Sequence, residues 1–275
     1  MNWLDVWILI GIASAFAALS MLILWWFATT KKDASIVDVA WSALLGLFAV
    51  AFPILAQGHP HRRILVAILG GVWGLRLASH LLLDRVLKAR EEDGRYQELR
   101  AKWGAHAARN FFVFFQAQGV LAALLAIPFA MASQSTGPLT ITDYAAAALW
   151  LIGFVGESIA DRQLAAWKRN PANRGKTCRQ GLWNVSRHPN YFFEWLMWCA
   201  YALLALHFPL GFVAWGAPAL MLFLILKVTG IPPTEERALR TRGDDYRHYQ
   251  RTTSPFVPWF PKHESTLPTP KDSAR

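Results

Sequence analysis

Disulfide chemistry can be set aside first. The chain has two cysteines, Cys178 in a basic loop and Cys199 in an apolar stretch, too few for a disulfide framework and wrongly patterned for a metal site. Charge is scarce as well: charged residues make up 17% of the chain against 54% hydrophobic, a composition that excludes an ordinary soluble globule. The signatures of soluble nucleotide and metal enzymes are missing too. No GxGxxG opens a helix after a strand, no Gly-rich loop leads into GK[ST], and no HExxH occurs. The eight histidines show no ligand spacing, so no metal is expected. Acidic residues are the minority, 18 against 28 basic, for a net charge of +10. Hydrophobic stretches split those basic residues, which argues against a nucleic-acid partner. No cleavable signal peptide is expected either. The first apolar run lacks a positive leader and ends at Lys31-Lys32, the pattern of a retained helix.

What is present is apolar length. Seven stretches, roughly 3–29, 36–56, 63–83, 111–133, 142–160, 191–208 and 210–228, mostly approach the roughly 20 residues that a helix needs to cross about 30 Å of hydrocarbon. The sequence therefore predicts an all-α, polytopic integral membrane protein with about seven transmembrane helices and cytoplasmic loops. Only Pro209 separates the last two stretches, so six spans plus a re-entrant pair is the alternative. Residues 1–260 are expected to form a single membrane domain, followed by a polar, disordered tail at 261–275. With the N-terminus outside, 25 of the 28 Lys and Arg fall in inside segments and only Arg62 and Arg63 lie outside. This fixes the expected orientation, with the C-terminus cytoplasmic. The positive charge then reflects topology and contact with anionic membrane lipids.

Polar residues inside these stretches carry the functional signal, because they are costly there unless they hold something. Asp38, Arg76, His80, Gln118, Glu157 and Glu194 all fall within roughly 10 Å of the predicted cytoplasmic boundary at about 1.5 Å per residue. Arg76 and His80, Glu157 and Asp161, and Asn190 and Glu194 are each four apart and share a helix face. Trp41 lies on the same face as Asp38. No comparable charges are expected in the outer halves. Glycines 70, 71 and 74 in one apolar stretch predict close helix packing. The richest segment is GLWNVSRHPNYFFEW at 181–195, where a basic loop runs into an apolar helix and Pro189 suits the first helical turn. The loop before it, with Lys168, Arg169, Arg174, Lys176 and Arg179 beside Asn173, suits a polyanion such as a dinucleotide pyrophosphate. A solvated basic loop would look the same.

The motifs DVAW (38–41), GLRLASH (74–80), EEDGRY (91–96), ESIADRQ (157–163), NPANRGK (170–176), the 181–195 segment and the ending from GIPPTEERALR onward resemble the steroid 5α-reductase superfamily. The likeness is greatest to its bacterial-type branch, a domain of unknown function, and runs over roughly residues 35–260. That resemblance implies a single membrane reductase domain. It would transfer hydride from NADPH to the C=C bond of a hydrophobic enone, a steroid- or isoprenoid-like lipid entering from the bilayer. It also implies cofactor contacts at Glu157, Asp161, Arg169, Asn173, Lys176, Arg179, Arg187, His188, Asn190, Tyr191, Glu194, Glu235, Arg237 and Tyr246. The carbonyl contact would be Asp38. The family's tyrosine partner in the third helix has no match here; Trp73 falls near that place, and Arg76, His80 or Tyr96 are the substitutes. Trp41, Trp73 and Gln118 are the expected substrate-lining residues. RHPNY and the Glu235-Glu236 pair also resemble isoprenylcysteine methyltransferase-like proteins, so an S-adenosylmethionine-dependent membrane methyltransferase is the alternative. A bacterial inner membrane is the expected location. The oligomeric state is not legible.

Overall fold

A computed structural model describes residues 3–88 and 91–262; most of the expected polar tail lies outside the described residues. Among the described residues, every regular element is helical. The all-α polytopic expectation holds, and the chain is an integral membrane protein. Among the described residues six helices, rather than seven, are long and apolar enough to cross a bilayer.

The missing span lies in the 191–208 stretch. Its helix, α9, covers Pro189–Leu204, 16 residues, or roughly 24 Å at about 1.5 Å per residue. A 3₁₀ turn follows at Ala205–His207, Pro209 restricts the residue before it, and Leu210 adopts a left-handed φ of 58°. The chain resumes as a 3₁₀ turn at Gly211–Trp215 and then α10 at Gly216–Phe223. The other elements are α1 Trp3–Lys31, α2 Ile36–Leu55, α3 Pro60–Leu82, α4 Gly94–Trp103, α5 Ala107–Leu125, α6 Ile127–Gln134, α7 Ile141–Arg169, α8 Leu182–Val185, α11 Ile231–Arg242 and α12 Asp244–Thr252. The fourth predicted span is thus broken at Ala126, two residues before Pro128. Proline at that place cannot donate to the turn behind it.

Two compact units are present, Met1–Ala146 with Tyr201–Ala217, and Ala147–Ala200 with Pro218–Arg275. In the first unit, α2 and α3 meet through glycine. A Cβ on Gly46 would stand 3.0 Å from the Gly74 Cα, and one on Gly71 would stand 2.9 Å from the Val50 side chain. Gly70 likewise abuts Ala49. Small residues let backbones approach where lipid gives apolar side chains no reason to associate, so the triplet reading at 70, 71 and 74 is borne out.

Two charges outside the polar set picked from the sequence are also buried. Arg62, in the first turn of α3, and Asp143, in the first turn of α7, are both fully buried. They form a bidentate pair, with Nε and Nη2 donating to the two carboxylate oxygens at 2.8 Å each. The remaining guanidinium donors reach the carbonyls of Gly137 and Pro138 at 2.9 and 2.8 Å. His207 Nε2 bonds the hydroxyls of Thr140 and Thr142 and lies 3.8 Å from Asp143. On the sequence Arg62 reads as an outer-loop charge, but it ties a helix start to the α6–α7 connection.

Candidate functional site

In the first unit the polar residues gather around Asp38, near the start of α2. Its carboxylate accepts from Arg85, from Arg95 Nη2 at 2.6 Å and from the Tyr96 hydroxyl at 2.8 Å. The segment 91–96 is folded onto this point by its own acids. Glu92 accepts from the Ala34 amide at 2.8 Å and from Arg100 at 2.7 Å. Asp93 accepts the Arg95 amide at 2.9 Å as the N-cap of α4, while its own amide donates to Ser35, satisfying donors that a helix start otherwise leaves open. Burial would raise the Asp93 pKa, but the charge and amide of Arg95, with Arg85 beyond, outweigh that and lower it. Asp38 therefore sits between two guanidinium groups, with a phenol, itself only 2% exposed, on the third side.

Of the expected catalytic residues, the structure joins Asp38 and Tyr96 directly. Among the three substitutes, Tyr96 hydrogen-bonds the acid. His80 instead pairs loosely with Asp84, Nε2 to oxygen 3.8 Å, on its own helix. Trp73 is fully buried and stands edge-on to Trp41 with ring centroids 6.4 Å apart. Arg76 and Gln118 are partly buried on α3 and α5. Arg85 was missed, because on the sequence its charge counts only toward topology.

In the second unit, α7 and α9 run antiparallel and close. A Cβ on Gly153 would lie 2.7 Å from the Phe193 carbonyl oxygen, and one on Gly156 would enter the Phe193 ring. That register sets Glu157 level with Phe193, and Asp161 level with Pro189 and Asn190. The expected faces Glu157/Asp161 and Asn190/Glu194 therefore belong to neighbouring stretches of two packed helices. Glu157 is buried at 3% exposure. Beyond α7 the chain is pinned back. Gln163 accepts the Leu182 amide at 2.9 Å and Trp183 Nε1 donates to the Ala160 carbonyl at 2.9 Å. Asn173 Nδ2 donates to the Trp167 carbonyl. Arg169, Arg174 and Lys176 are exposed on this loop and form no ion pair among the described residues.

A second cluster centres on Glu235 of α11. It accepts from Arg187 Nε at 2.7 Å, from Gln250 Nε2 at 2.7 Å and from the Tyr246 hydroxyl at 3.3 Å, with His188 Nε2 at 3.2 Å. Arg187 Nη1 donates to the carbonyls of Gln250 and Thr253, and Tyr191 stacks on His188 at 5.4 Å. Burial, with the negative charge of Glu235 behind it, raises the Tyr246 pKa. Arg179 is engaged as well, Nη2 to Asp245 at 2.8 Å. Arg187, His188, Glu235, Tyr246 and Arg179 thus spend most of their hydrogen bonds binding the C-terminal helices to the 177–188 loop. Arg237 remains exposed. Asp245 and Gln250, the acid and amide that complete these clusters, carry no signal in the sequence apart from lying in a polar helix.

The Asp245 clamp has a pH consequence. Burial would raise its pKa, but hydrogen bonding from Thr177, whose amide donates at 2.7 Å, and the charge of Arg179 outweigh this and lower it. A depressed carboxylate stabilises the fold above its unfolded pKa and ceases to do so as pH falls through the lower folded value. Exchange of the Thr177 amide, corrected for intrinsic rate, is expected to accelerate below about pH 4. Asp245→Asn should show the fast exchange already at neutral pH.

Fold and site together define a helical integral membrane protein with two polar clusters, one acid–tyrosine–arginine and one acid–amide–cation. The family described as "Protein of unknown function (DUF1295)" matches residues 24–253. The chain belongs to that family, which is part of the steroid 5α-reductase-like group. An uncharacterized protein of Schizosaccharomyces pombe is 26% identical over 264 positions, covering 86% of this chain and 76% of that one. A "probable O-methyltransferase" of Ustilaginoidea virens is 32% identical over 81 positions, 29% of this chain and 28% of that protein. No solved structure matches the chain.

Proposed function

We propose that the protein is an NADPH-dependent membrane reductase that transfers hydride to the C=C bond of a hydrophobic enone taken from the bilayer. Membership of a family related to steroid 5α-reductases supports an oxidoreductase. The observation that carries the finer reading is the second unit's donor set. The acid Asp161 and the amide Asn190 lie level on packed helices, and Arg169, Arg174 and Lys176 stand free of carboxylates on the loop that follows. An acid suits ribose hydroxyls, an amide suits a carboxamide, and unpaired guanidinium and ammonium groups suit phosphates, so these residues fit a phosphorylated dinucleotide. Glu157, Asn173, Tyr191, Glu194 and Arg237 complete the proposed holding set. Arg187, His188, Glu235, Tyr246 and Arg179 act by fixing the walls. When bound, the dihydronicotinamide would supply the hydride.

The first unit's contribution would be electrophilic. Hydride addition at the β-carbon of an enone places negative charge on the ketone oxygen, and a donor aimed there lowers the barrier. In this reading Tyr96 turns its single hydroxyl hydrogen from Asp38 to the ketone oxygen, and Asp38, with Arg85 and Arg95 still donating to it, is a positioning residue that keeps the phenol at the site. Trp41, Trp73 and Gln118 would line the hydrocarbon of the substrate, with Arg76 and His80 nearby on α3. We place the N-terminus outside and the C-terminus in the cytoplasm of a bacterial inner membrane, following the distribution of basic residues.

The likeness to the O-methyltransferase favours one other reading, S-adenosylmethionine-dependent methyl transfer. A sulfonium cation gives Arg169, Arg174 and Lys176 little to bind, which ranks it second. Thermal shift of the purified full-length protein separates the two, since only a bound ligand raises stability. NADPH is expected to raise the melting temperature and S-adenosylmethionine to leave it unchanged; the reverse would overturn the proposal. Asp161→Ala with Asn190→Ala should weaken NADPH binding by about tenfold or more, as two hydrogen-bonding partners of a charged ligand are lost. Tyr96→Phe should lower turnover of an enone panel while leaving NADPH affinity unchanged.

A further inference from the structure

A second site lies outside the proposed reaction, where the chain leaves α12. Residues 253–262 form no regular element and bend at 255–257, with Pro255, Pro258 and Pro261 supplying no backbone donors. The segment is nevertheless fastened along its length. Its Ser254 carbonyl accepts the Arg187 amide at 2.8 Å, its Phe256 carbonyl accepts Ser186 Oγ at 2.7 Å, and the amides of Trp259 and Lys262 donate to the carbonyls of Val185 and Thr252 at 2.9 and 2.8 Å. Between segment and helix is a cavity of about 290 Å³ lined by Arg187, Arg251, Thr252, Ser254, Trp259 and Lys262. The Arg187 side chain is 10% exposed. Its Nε and Nη1 are used internally, and Nη2 has no hydrogen bond among the described residues. Arg251 and Lys262 are exposed and form no ion pair there. Trp259 and Phe260 stand 69% and 83% exposed beside them.

We infer that this cavity binds the phosphate-bearing headgroup of an anionic membrane phospholipid. Glu235 neutralises Arg187, so Arg251 and Lys262 supply the net attraction and Arg187 Nη2 a directional donor. The volume falls just below the roughly 300–1,000 Å³ typical of small-molecule sites, suiting a headgroup rather than a whole dinucleotide. Exposed tryptophan and phenylalanine beside unpaired cations are at home at the bilayer interface, where the ring enters the acyl boundary and the cation meets the phosphate. That apolar rim selects a lipid over free phosphate.

The test uses the full-length protein in neutral detergent, followed by thermal shift and native mass spectrometry. Dioctanoyl phosphatidylglycerol should bind more tightly than dioctanoyl phosphatidylcholine. Arg251→Gln with Lys262→Gln, both surface changes, should weaken phosphatidylglycerol by about tenfold or more and leave phosphatidylcholine unaffected. Equal binding of the two lipids, or an unchanged double variant, overturns the inference. So does an equal shift from inorganic phosphate alone, which would make this an ion site. Displacement of phosphatidylglycerol by NADPH would give the cavity to the cofactor and likewise overturn it. NADPH binding lost in Asp161→Ala with Asn190→Ala tests the reductase reading separately.

Discussion

Glu235→Ala should lower stability by about 3–5 kcal/mol, the usual cost of removing one partner from a buried ion pair. The carboxylate is 13% exposed and the Arg187 guanidinium 10%. Alanine would leave that cation, His188, Gln250 and Tyr246 facing an empty position. The loss should appear as a lower melting temperature in detergent and as accelerated hydrogen exchange in α12 and at 185–190, the segments that this one side chain ties together. Glu235→Gln keeps the shape and an acceptor oxygen but not the charge, and should fall between the two. A melting temperature unchanged in Glu235→Ala would mean that the cluster contributes nothing to holding the C-terminal helices.

The second large effect is expected from Asp143→Ala. Arg62 is fully buried, and without Asp143 only the carbonyls of Gly137, Pro138 and, at 3.4 Å, Ser135 would face its charge. A loss of about 3–5 kcal/mol follows from the same reasoning. The informative comparison is Arg62→Met with Asp143→Leu. Removing both charges removes the desolvation cost along with the attraction, so the double variant should be more stable than Asp143→Ala alone. Should it be less stable, the carbonyls that Arg62 serves matter more than the pair, and the connection before α7 is what the guanidinium holds.

How much of this was readable beforehand depended on distance along the chain. Gly70, Gly71 and Gly74 could be recognised because their spacing puts small residues on one helix, and the partner surface needed only to be close-packed. The faces Glu157/Asp161 and Asn190/Glu194 were likewise local. Arg62 with Asp143, 81 residues apart, was not legible as a pair, and Tyr96, 58 residues from Asp38, was only one of three substitutes that the family likeness offered. Each charge has a sufficient explanation alone, as a topological signal or a solvated loop. Glu235 was identified through family likeness, whereas Asp245 and Gln250, which share its work, look like any polar residues on a surface helix. The length of α9 was hidden because an apolar run reads the same whether or not Pro209 and Gly211 end the helix early.

The order in which the units occupy the chain bears on how the protein is made. Residues 147–200 are followed by 201–217, which belong with the first unit, before 218–262 return to the second. During synthesis the polar faces of α7 and α9 must therefore enter the bilayer before α11 and α12 exist. Through that interval the nascent chain carries Arg187 and His188 without the Glu235 that later binds them, the kind of half-built surface on which membrane insertases and quality-control proteases act. A ribosome stalled after Ala217 would have synthesised every residue of one unit and just under half of the other.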